Sequence, residues 1–224
     1  MEPSPAEPPV GVSPRFWALI GAEPLTDSAV LDVGTGTGRL ALALAPLCRR
    51  VVGIDRDADA IEEATRGARD RWLANVDFLV LDAEAPEHYA GVMAEPGAPG
   101  LIVAHLCVSD RIIQNSGRSL QAGRALAFVA FHVDQWRETG RASRFAYAED
   151  RAGRVLVEAG FVVEHLEVEQ EVQRFDSVEA ALAAAIGLQE RWKSDGRWFH
   201  YMRFQEDGGR TPTRSHLVVK ARKA

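Results

Sequence analysis

The chain has 224 residues, of which 46% are hydrophobic, enough for one substantial core and too few for two typical α/β domains. Its formal net charge of −6 argues against a broad surface for nucleic acid or an anionic membrane and favours a small-molecule partner. Cys48 and Cys107 are too few for a disulfide framework or a structural metal site. Because no membrane-spanning apolar run and no cleavable signal pattern occur, we expect a cytoplasmic protein. We also expect no bound metal.

The N-terminal end differs in composition from the rest of the chain. Residues 1–14 carry five prolines and little to bury, so we expect an extended or disordered arm. Residues 15–224 are predicted to form a single domain. Its first element is a helix over residues 15–21, whose short apolar stripe suits a cover for a sheet.

The stretch of residues 30–44, VLDVGTGTGRLALAL, passes from a buried strand to a helix across three alternate glycines, Gly34, Gly36 and Gly38. Such glycines let the backbone turn sharply and let a ligand approach the main chain. Residues 51–55 then read as a second buried strand that ends in Asp55. An acidic side chain about twenty residues after a glycine loop is placed to bind a ribose. The spacing therefore predicts a nucleoside-type ligand.

Strands and helices continue to alternate after this point. The predicted elements are a helix at 57–73, a strand at 76–81, a Pro- and Gly-rich connection at 86–100, strands at 101–108 and 124–133, and helices at 111–120 and 147–159. This alternation predicts a doubly wound α/β fold with a parallel sheet and helices on both faces. Ligands of such sheets bind beyond the carboxyl ends of the strands.

The C-terminal part departs from this alternation. Residues 162–175 alternate apolar and acidic side chains, which is typical of a strand with one exposed face. Residues 177–192 read as a helix and residues 216–221 as a last strand. Without a long crossover, this strand is expected to pair antiparallel, giving a seven-stranded, mostly parallel sheet with an antiparallel last strand. Residues 176–212 then form a helical, aromatic insertion between the last two strands.

Two kinds of nucleoside cofactor fit the glycine-rich turn. Read from Gly36, the run GTGRLA fits the nicotinamide dinucleotide fingerprint, with Ala41 in the last small position. Read from Gly34, the first glycine after the strand, the fingerprint places Arg39 where a small residue is needed for close packing. The register therefore disfavours a dinucleotide. The strand ends instead provide three acidic sites, Asp32 with the loop, Asp55, and Asp82 with Ala83.

This pattern resembles the class I S-adenosylmethionine-dependent methyltransferases, which have a Rossmann-like sheet. The resemblance covers residues 29–133 in motifs. It implies that the (D/E)xGxGxG loop holds the aminoacid portion of the cofactor, that Asp55 holds the ribose hydroxyls, and that Asp82 reads the adenine amino group with the amide of Ala83. The candidate residues for binding S-adenosyl-L-methionine are Asp32, Gly34, Thr35, Gly36, Gly38, Asp55, Arg56, Asp82, Ala83 and His105.

Motifs that would identify the methyl acceptor are mostly missing. The segment after the fourth strand, HLCVSD, lacks the Asn/Asp-Pro-Pro-aromatic signature of amino-group methylation and the Pro-Cys pair of pyrimidine C5 methylation. Paired glutamates of arginine methyltransferases are not evident either. We therefore expect the small-molecule branch, acting on an O, N or C nucleophile. The alternatives are an NAD-type protein, a non-catalytic module that binds a nucleoside cofactor, and a protein methyltransferase.

Two histidines are candidates for a catalytic base. His105 ends the fourth predicted strand and His132 lies near the end of the fifth, and histidine titrates in the range that proton removal during methyl transfer requires. The alternative is that His105 contributes only its backbone beside the cofactor and that His132 caps a strand end.

Aromatic residues cluster between the last two predicted strands. The candidate substrate-binding residues there are Trp192, Arg197, Trp198 and Tyr201. An aromatic lid over residues 192–204 would enclose an apolar acceptor, and an arginine would meet a carboxylate or phosphate. The alternatives are that these rings attach the edge hairpin to the sheet or bury a contact in a homodimer.

Overall fold

The structure is a computed structural model that describes residues 7–93, 98–143, 145–172, 174–184, 189–209 and 211–224. The chain divides into two compact units. The first unit comprises Met1–Ala130, Asp150–Glu167 and Val218–Ala224, and the second comprises Phe131–Glu149 and Val168–Leu217. In the described part of the chain, no helix is long and apolar enough to span a membrane.

The elements alternate as the sequence predicts. The strands are β1 (Ala29–Val33), β2 (Arg50–Asp55), β3 (Val76–Val80), β4 (Leu101–His105), β5 (Ala125–Phe131), β6 (Phe161–Val172) and β7 (Thr213–Lys223). The α-helices are α1 (Pro14–Gly21), α2 (Arg39–Leu44), α3 (Ala58–Asp70), α4 (Pro86–Met93), α5 (Asp110–Ser119), α6 (Glu149–Glu158), α7 (Val178–Ala184), α8 (Gln189–Asp195) and α9 (Arg197–Glu206). Short 3-10 helices occupy Ala45–Leu47 and Arg137–Thr139.

The seven strands form one sheet in the order β3-β2-β1-β4-β5-β7-β6. The pairs β2–β3, β1–β2, β1–β4 and β4–β5 are parallel. The last strand runs antiparallel to β5, as the bonds from Gly123 N–H to Lys223 O and from Lys223 N–H to Arg124 O show. This confirms the predicted doubly wound α/β fold with a seven-stranded, mostly parallel sheet and an antiparallel last strand. Its topological switch point lies between β1 and β4, where the chain reverses its direction of travel across the sheet.

Burial explains why the central strands were readable from the sequence. Every residue of β1 is buried, and β4 and β5 are buried except at their last residues. Helix α1 buries Phe16, Trp17 and Ile20 in the same core cluster as Val30 and Leu44. Continuous apolar runs of this kind are typical of parallel strands that are covered on both faces.

Several elements differ from their predicted bounds. Helix α4 lies inside the predicted Pro- and Gly-rich connection. Strand β4 ends at His105, three residues before its predicted end at residue 108. Leu106 has a left-handed φ of 60°, which is incompatible with an extended strand. The predicted helix at 177–192 corresponds to α7 and α8, and its residues 185–188 lie outside the described residues.

The predicted arm also meets the core before residue 15. Val12 is buried in the main core cluster, and the Arg39 guanidinium donates from Nη1 to the backbone oxygen of Val10 at 2.7 Å. Residues 1–6, the rest of the predicted disordered arm, lie outside the described residues.

Candidate functional site

The three glycines of the loop between β1 and α2 have different surroundings. All three have left-handed φ values, 66° at Gly34, 54° at Gly36 and 80° at Gly38. A Cβ at Gly34 would overlap the Cys107 side chain, and one at Gly38 would lie 2.8 Å from the Phe78 ring. A Cβ at Gly36 would meet nothing within 4 Å. The outer glycines therefore serve the packing of the protein, whereas the middle one borders open space.

Cys107 has a packing role beneath this loop. Burial, reinforced by the charges of Asp55 and Asp32, raises the pKa of its thiol to about 11. The side chain therefore stays a neutral thiol near pH 7. Its contact with Gly34 is the kind of close approach that only glycine allows.

Asp32 is the buried carboxyl group of the loop. Its side chain is only 1% exposed and accepts a 2.7 Å hydrogen bond from the Thr35 hydroxyl. Burial raises the pKa of Asp32 to about 7, and the bond from Thr35 only partly offsets that rise. A cationic group near this carboxyl would favour its ionised form. Asp32 and Thr35, both candidates for cofactor binding, are thus joined by a direct hydrogen bond.

Asp55 joins the end of β2 to the glycine loop. Its Oδ2 accepts from the Gly36 N–H at 2.9 Å, and its Oδ1 accepts from the Asp57 N–H at 3.0 Å. The carboxylate is half-buried, and the next residue, Arg56, is exposed. A carboxylate offers about four lone-pair directions. Each oxygen of Asp55 can therefore accept a further hydrogen bond from a ligand hydroxyl.

The third acidic site follows β3. Asp82 is exposed and accepts from the Glu84 N–H at 2.9 Å through Oδ1, which forms a local turn. The residue before it, Leu81, donates its backbone N–H to the backbone oxygen of Asp55 at 2.9 Å. This bond places the Asp82–Ala83 segment beside the end of β2, in line with the sites at Asp55 and the loop.

His105 ends β4 and lies against Arg39. The Arg39 Nη2 and the His105 Nδ1 are 3.1 Å apart, and the Phe16 ring lies with its centroid 6.0 Å from the His105 ring. A guanidinium only donates, so Nδ1 accepts and Nε2 carries the proton of the neutral ring. In this arrangement the imidazole has no lone pair left for removing a proton.

His132 lies in the second unit and is buried. Its Nδ1 lies 3.3 Å from the Asp134 N–H and 2.9 Å from the Ser215 hydroxyl, while Nε2 lies 3.2 Å from a Glu149 carboxylate oxygen. Because a backbone N–H only donates, Nδ1 accepts and Nε2 donates to Glu149. Both ring nitrogens of His132 are therefore used within the second unit.

The aromatic cluster is also a packed part of the second unit. Trp192 and Tyr201 are 1% and 2% exposed, with ring centroids 5.2 Å apart, and the Tyr201 hydroxyl donates to Ala181 O at 2.9 Å. The buried Arg197 guanidinium donates to the Asp195 carboxylate, with Nη2 at 2.7 Å from Oδ2. Trp198 remains half-buried. Its ring centroid lies 6.3 Å from that of Tyr201. All four predicted substrate residues thus have partners inside their own unit.

The structure therefore separates the candidate residues into two groups. All ten predicted cofactor residues belong to the first unit, where β1, β2, β3 and β4 carry them to their carboxyl ends. His132 and the four predicted substrate residues belong to the second unit. Two further polar residues of the first unit, His88 and Asn115, bond to the Asp82–Ala83 segment. No sequence motif marks either residue, since each is a single polar residue inside its helix.

A separate cleft of about 770 Å³ runs along β3 between α3 and α4. Its lining residues include Arg50, Ala68, Asp77, Phe78 and His88. Neither the glycine loop nor Asp55 lines this cleft. The loop backbone and the carboxylate that suit a nucleoside therefore lie outside it. In the described residues, no group of three or more His, Cys, Asp or Glu side chains is placed to hold a metal.

Comparison with known proteins places these residues in a family. Residues 25–127 match a family described as a methyltransferase domain, a span that contains all ten predicted cofactor residues. Residues 25–127 therefore form a methyltransferase domain of the class I S-adenosylmethionine-dependent type. The resemblance inferred from the loop and the strand-end carboxylates is confirmed.

The methyltransferase domain is similar to part of a much longer relative. A 23S rRNA (uracil(1939)-C(5))-methyltransferase of Methylococcus capsulatus is 32% identical over 96 residues. The match covers 39% of this chain and 22% of the relative, so the chain spans about a fifth of that relative's length.

Solved structures share the fold over nearly the whole chain. A Bacillus halodurans protein assigned as a methyltransferase has a TM-score of 0.65 and 22% identity, with 93% of this chain and 98% of that chain covered. A phosphoethanolamine N-methyltransferase of Haemonchus contortus, in complex with S-adenosylhomocysteine, has a TM-score of 0.59 and 16% identity, with 93% and 52% covered. At these identities the likeness shows the fold of the methyltransferase domain.

Proposed function

We propose that the chain binds S-adenosylmethionine at the carboxyl ends of β1, β2 and β3 and transfers its methyl group to a small-molecule acceptor. The observation that carries this proposal is the surroundings of Gly36. Its N–H is held by Asp55, and its Cβ direction is open. A loop fixed in this way can accept a ligand against its backbone without rearranging.

The residues of the first unit fit the three parts of this cofactor. The loop and Asp32 suit the aminoacid portion, because a carboxyl with a pKa of about 7 readily ionises beside an ammonium group. The remaining lone pairs of Asp55 suit the ribose hydroxyls. The exposed Asp82 suits the adenine amino group, which needs an acceptor.

Bound S-adenosylmethionine supplies an activated methyl group on a sulfonium centre. The contribution of the chain is to hold the acceptor in line with that methyl group and to exclude water. His105 and His132 use their nitrogens on Arg39 and on Glu149, Asp134 and Ser215. We therefore assign no proton removal to either histidine and infer an acceptor that attacks the methyl group without prior loss of a proton.

Two observations support a small-molecule acceptor. The sequence HLCVSD after β4 lacks the Pro-Cys and Pro-Pro signatures of base and glutamine methylation. The net charge of −6 disfavours a nucleic-acid surface. Similarity to the rRNA uracil methyltransferase favours RNA as the second candidate acceptor.

A transfer assay distinguishes these acceptors. The protein is incubated with methyl-labelled S-adenosylmethionine and, separately, with a low-molecular-weight metabolite extract, unmodified RNA and a protein extract. We expect label in the small-molecule fraction. Label confined to RNA or to protein would overturn the small-molecule assignment. The Gly123→Ala variant should retain transfer and the Gly36→Ala variant should lose it, because only Gly36 borders the proposed cofactor site.

A further inference from the structure

The Asp82–Ala83 segment is held by two side chains from different helices. His88 of α4 lies with its Nδ1 3.0 Å from the backbone nitrogen and 3.1 Å from the backbone oxygen of Asp82. Asn115 of α5 donates from Nδ2 to the Ala83 backbone oxygen at 3.1 Å. The two bonds fix the backbone on both sides of one peptide group. Neither residue belongs to the candidate set that the family resemblance supplies.

Asn115 occupies a costly position. It lies inside α5, where asparagine is a poor helix former, and its side chain is only 3% exposed. A buried amide without a partner costs about 1–3 kcal/mol. The bond to Ala83 O joins positions that are 32 residues apart in the sequence. This bond therefore offsets a cost that an apolar residue at position 115 would not incur.

Further backbone bonds limit the freedom of the same segment. Leu81 N–H donates to Asp55 O at 2.9 Å, and Ala85 N–H donates to Asp82 O at 3.1 Å. His88 N–H in turn donates to Ala85 O at 3.1 Å, which ties the turn to the start of α4. Each residue from Leu81 to Ala83 thus carries a bond that positions it relative to β2, α4 or α5.

We propose that His88 and Asn115 are positioning residues that make the Asp82–Ala83 segment selective for adenine. The inference rests on the proposed function, because it requires S-adenosylmethionine at this edge of the sheet. The Asp82 carboxylate accepts from the 6-amino group of adenine and repels the 6-oxo group of hypoxanthine. A carboxylate that is free to shift would lose much of this discrimination, since hydrogen bonds weaken steeply with misalignment.

The test compares two ligands that differ at this position. Affinities for S-adenosylhomocysteine and S-inosylhomocysteine are measured by calorimetry, and their ratio is the readout. We expect the wild type to prefer the adenosine compound by about a hundredfold. Asn115→Leu and His88→Leu should each lower that preference about tenfold. His88→Asn, whose side-chain amide can accept from Asp82 N–H or donate to Asp82 O, should restore most of it.

Asn75 provides a matched control. Its Nδ2 donates to Ala45 O at 2.7 Å and to Cys48 O at 3.0 Å, so it also holds backbone carbonyls of the first unit, away from Asp82. Asn75→Leu should lower the melting temperature without changing the ligand preference. His88→Leu tests the claim independently if Asn115→Leu fails to fold, because His88 is only half-buried.

The outcomes separate the two claims. An unchanged preference in folded Asn115→Leu and His88→Leu proteins would overturn the inference alone. Failure of the wild type to bind S-adenosylhomocysteine would overturn the proposed function and this inference with it. A reduced preference that His88→Asn restores, with Asn75→Leu unchanged, supports the positioning role, because a merely structural role would not alter the ratio.

Discussion

The carboxylate of Asp55 accepts a 2.9 Å hydrogen bond from the backbone N–H of Gly36. The bond ties the middle of the glycine loop to the end of the neighbouring strand. Since nothing lies within 4 Å of the position that a Gly36 Cβ would occupy, the same pair of residues borders open space. Asp55 therefore shapes the loop before any ligand binds, in addition to the ribose contact that the family resemblance implies.

Replacing Gly36 with alanine should weaken ligand binding strongly and cost little stability beyond the backbone strain at this position. The added methyl group enters the space against the loop, and the left-handed φ of 54° costs about 1 kcal/mol. We expect affinity for S-adenosylhomocysteine to fall at least about tenfold, measured by calorimetry, because a methyl group would hold the ligand away from the backbone.

Gly123 provides the control for backbone strain. It has a φ of 80°, and its Cβ position is also open. Gly123→Ala should therefore lower the melting temperature about as much as Gly36→Ala while leaving affinity unchanged. Equal affinities of the Gly36→Ala variant and the wild type would show that the ligand does not approach the loop at Gly36.

The buried Asp32 predicts a pH dependence of binding. Its pKa of about 7 means that about one tenth of the carboxyl groups are ionised at pH 6 and most at pH 8. If the ionised form binds the ammonium group of the cofactor, affinity for S-adenosylhomocysteine should rise about tenfold across that range and then level off. Calorimetry at several pH values measures this rise.

Asp32→Asn supplies the control for that titration and should remove most of the slope. The free energy of unfolding should change with pH in the direction opposite to the affinity. Because the folded-state pKa is raised above the unfolded value, Asp32 lowers the free energy of unfolding progressively as pH rises from about 4 to about 7. An affinity that is flat with pH in the wild type would contradict an ionised Asp32 in the complex.

The sequence predicted the sheet well because its parallel strands are continuous apolar runs. The runs of β1, β4 and β5 were readable one by one, and the glycine loop and strand-end acids follow directly from those ends. Helix α4 was missed because its segment begins at Pro86 and precedes further glycines and prolines, which favour a loop interpretation.

Long-range polar contacts were beyond the sequence. The bond from Asn115 to Ala83 joins positions 32 residues apart, and no local pattern marks it. The use of His132 within its own unit depends on Ser215, which is 83 residues away. Residue types at strand ends thus indicate candidates for chemistry, but the partners that decide their protonation come from the tertiary fold.

His105 is predicted to position Arg39 and not to remove a proton. His105→Asn retains a side-chain oxygen that can accept from the Arg39 guanidinium, so we expect kcat within about threefold of the wild type. His105→Ala loses that acceptor and should be less active. If both variants lost about a hundredfold or more in kcat, His105 would be the general base after all.

Trp198 tests whether the aromatic segment decides acceptor choice. It is half-buried, whereas loss of the buried Tyr201 ring would cost several kcal/mol of stability. We expect Trp198→Ala to raise the acceptor KM or lower kcat about tenfold while cofactor affinity changes by less than about 1 kcal/mol. Phe199→Ala, at a neighbouring residue of α9 that is 72% exposed, serves as the control. A folded Trp198→Ala variant with unchanged acceptor kinetics would mean that the ring has only a packing role.

Calorimetric titration with S-adenosylmethionine, S-adenosylhomocysteine and NAD tests the cofactor assignment most directly. The wild type should bind the first two and not NAD, and Asp55→Ala should weaken binding by about 1.5–3 kcal/mol through lost charge-assisted hydrogen bonds. Asp77→Ala, which removes an exposed carboxylate paired with Arg50 in the same unit, should leave affinity unchanged. Tight binding of NAD without any response to S-adenosylmethionine or S-adenosylhomocysteine would contradict the account.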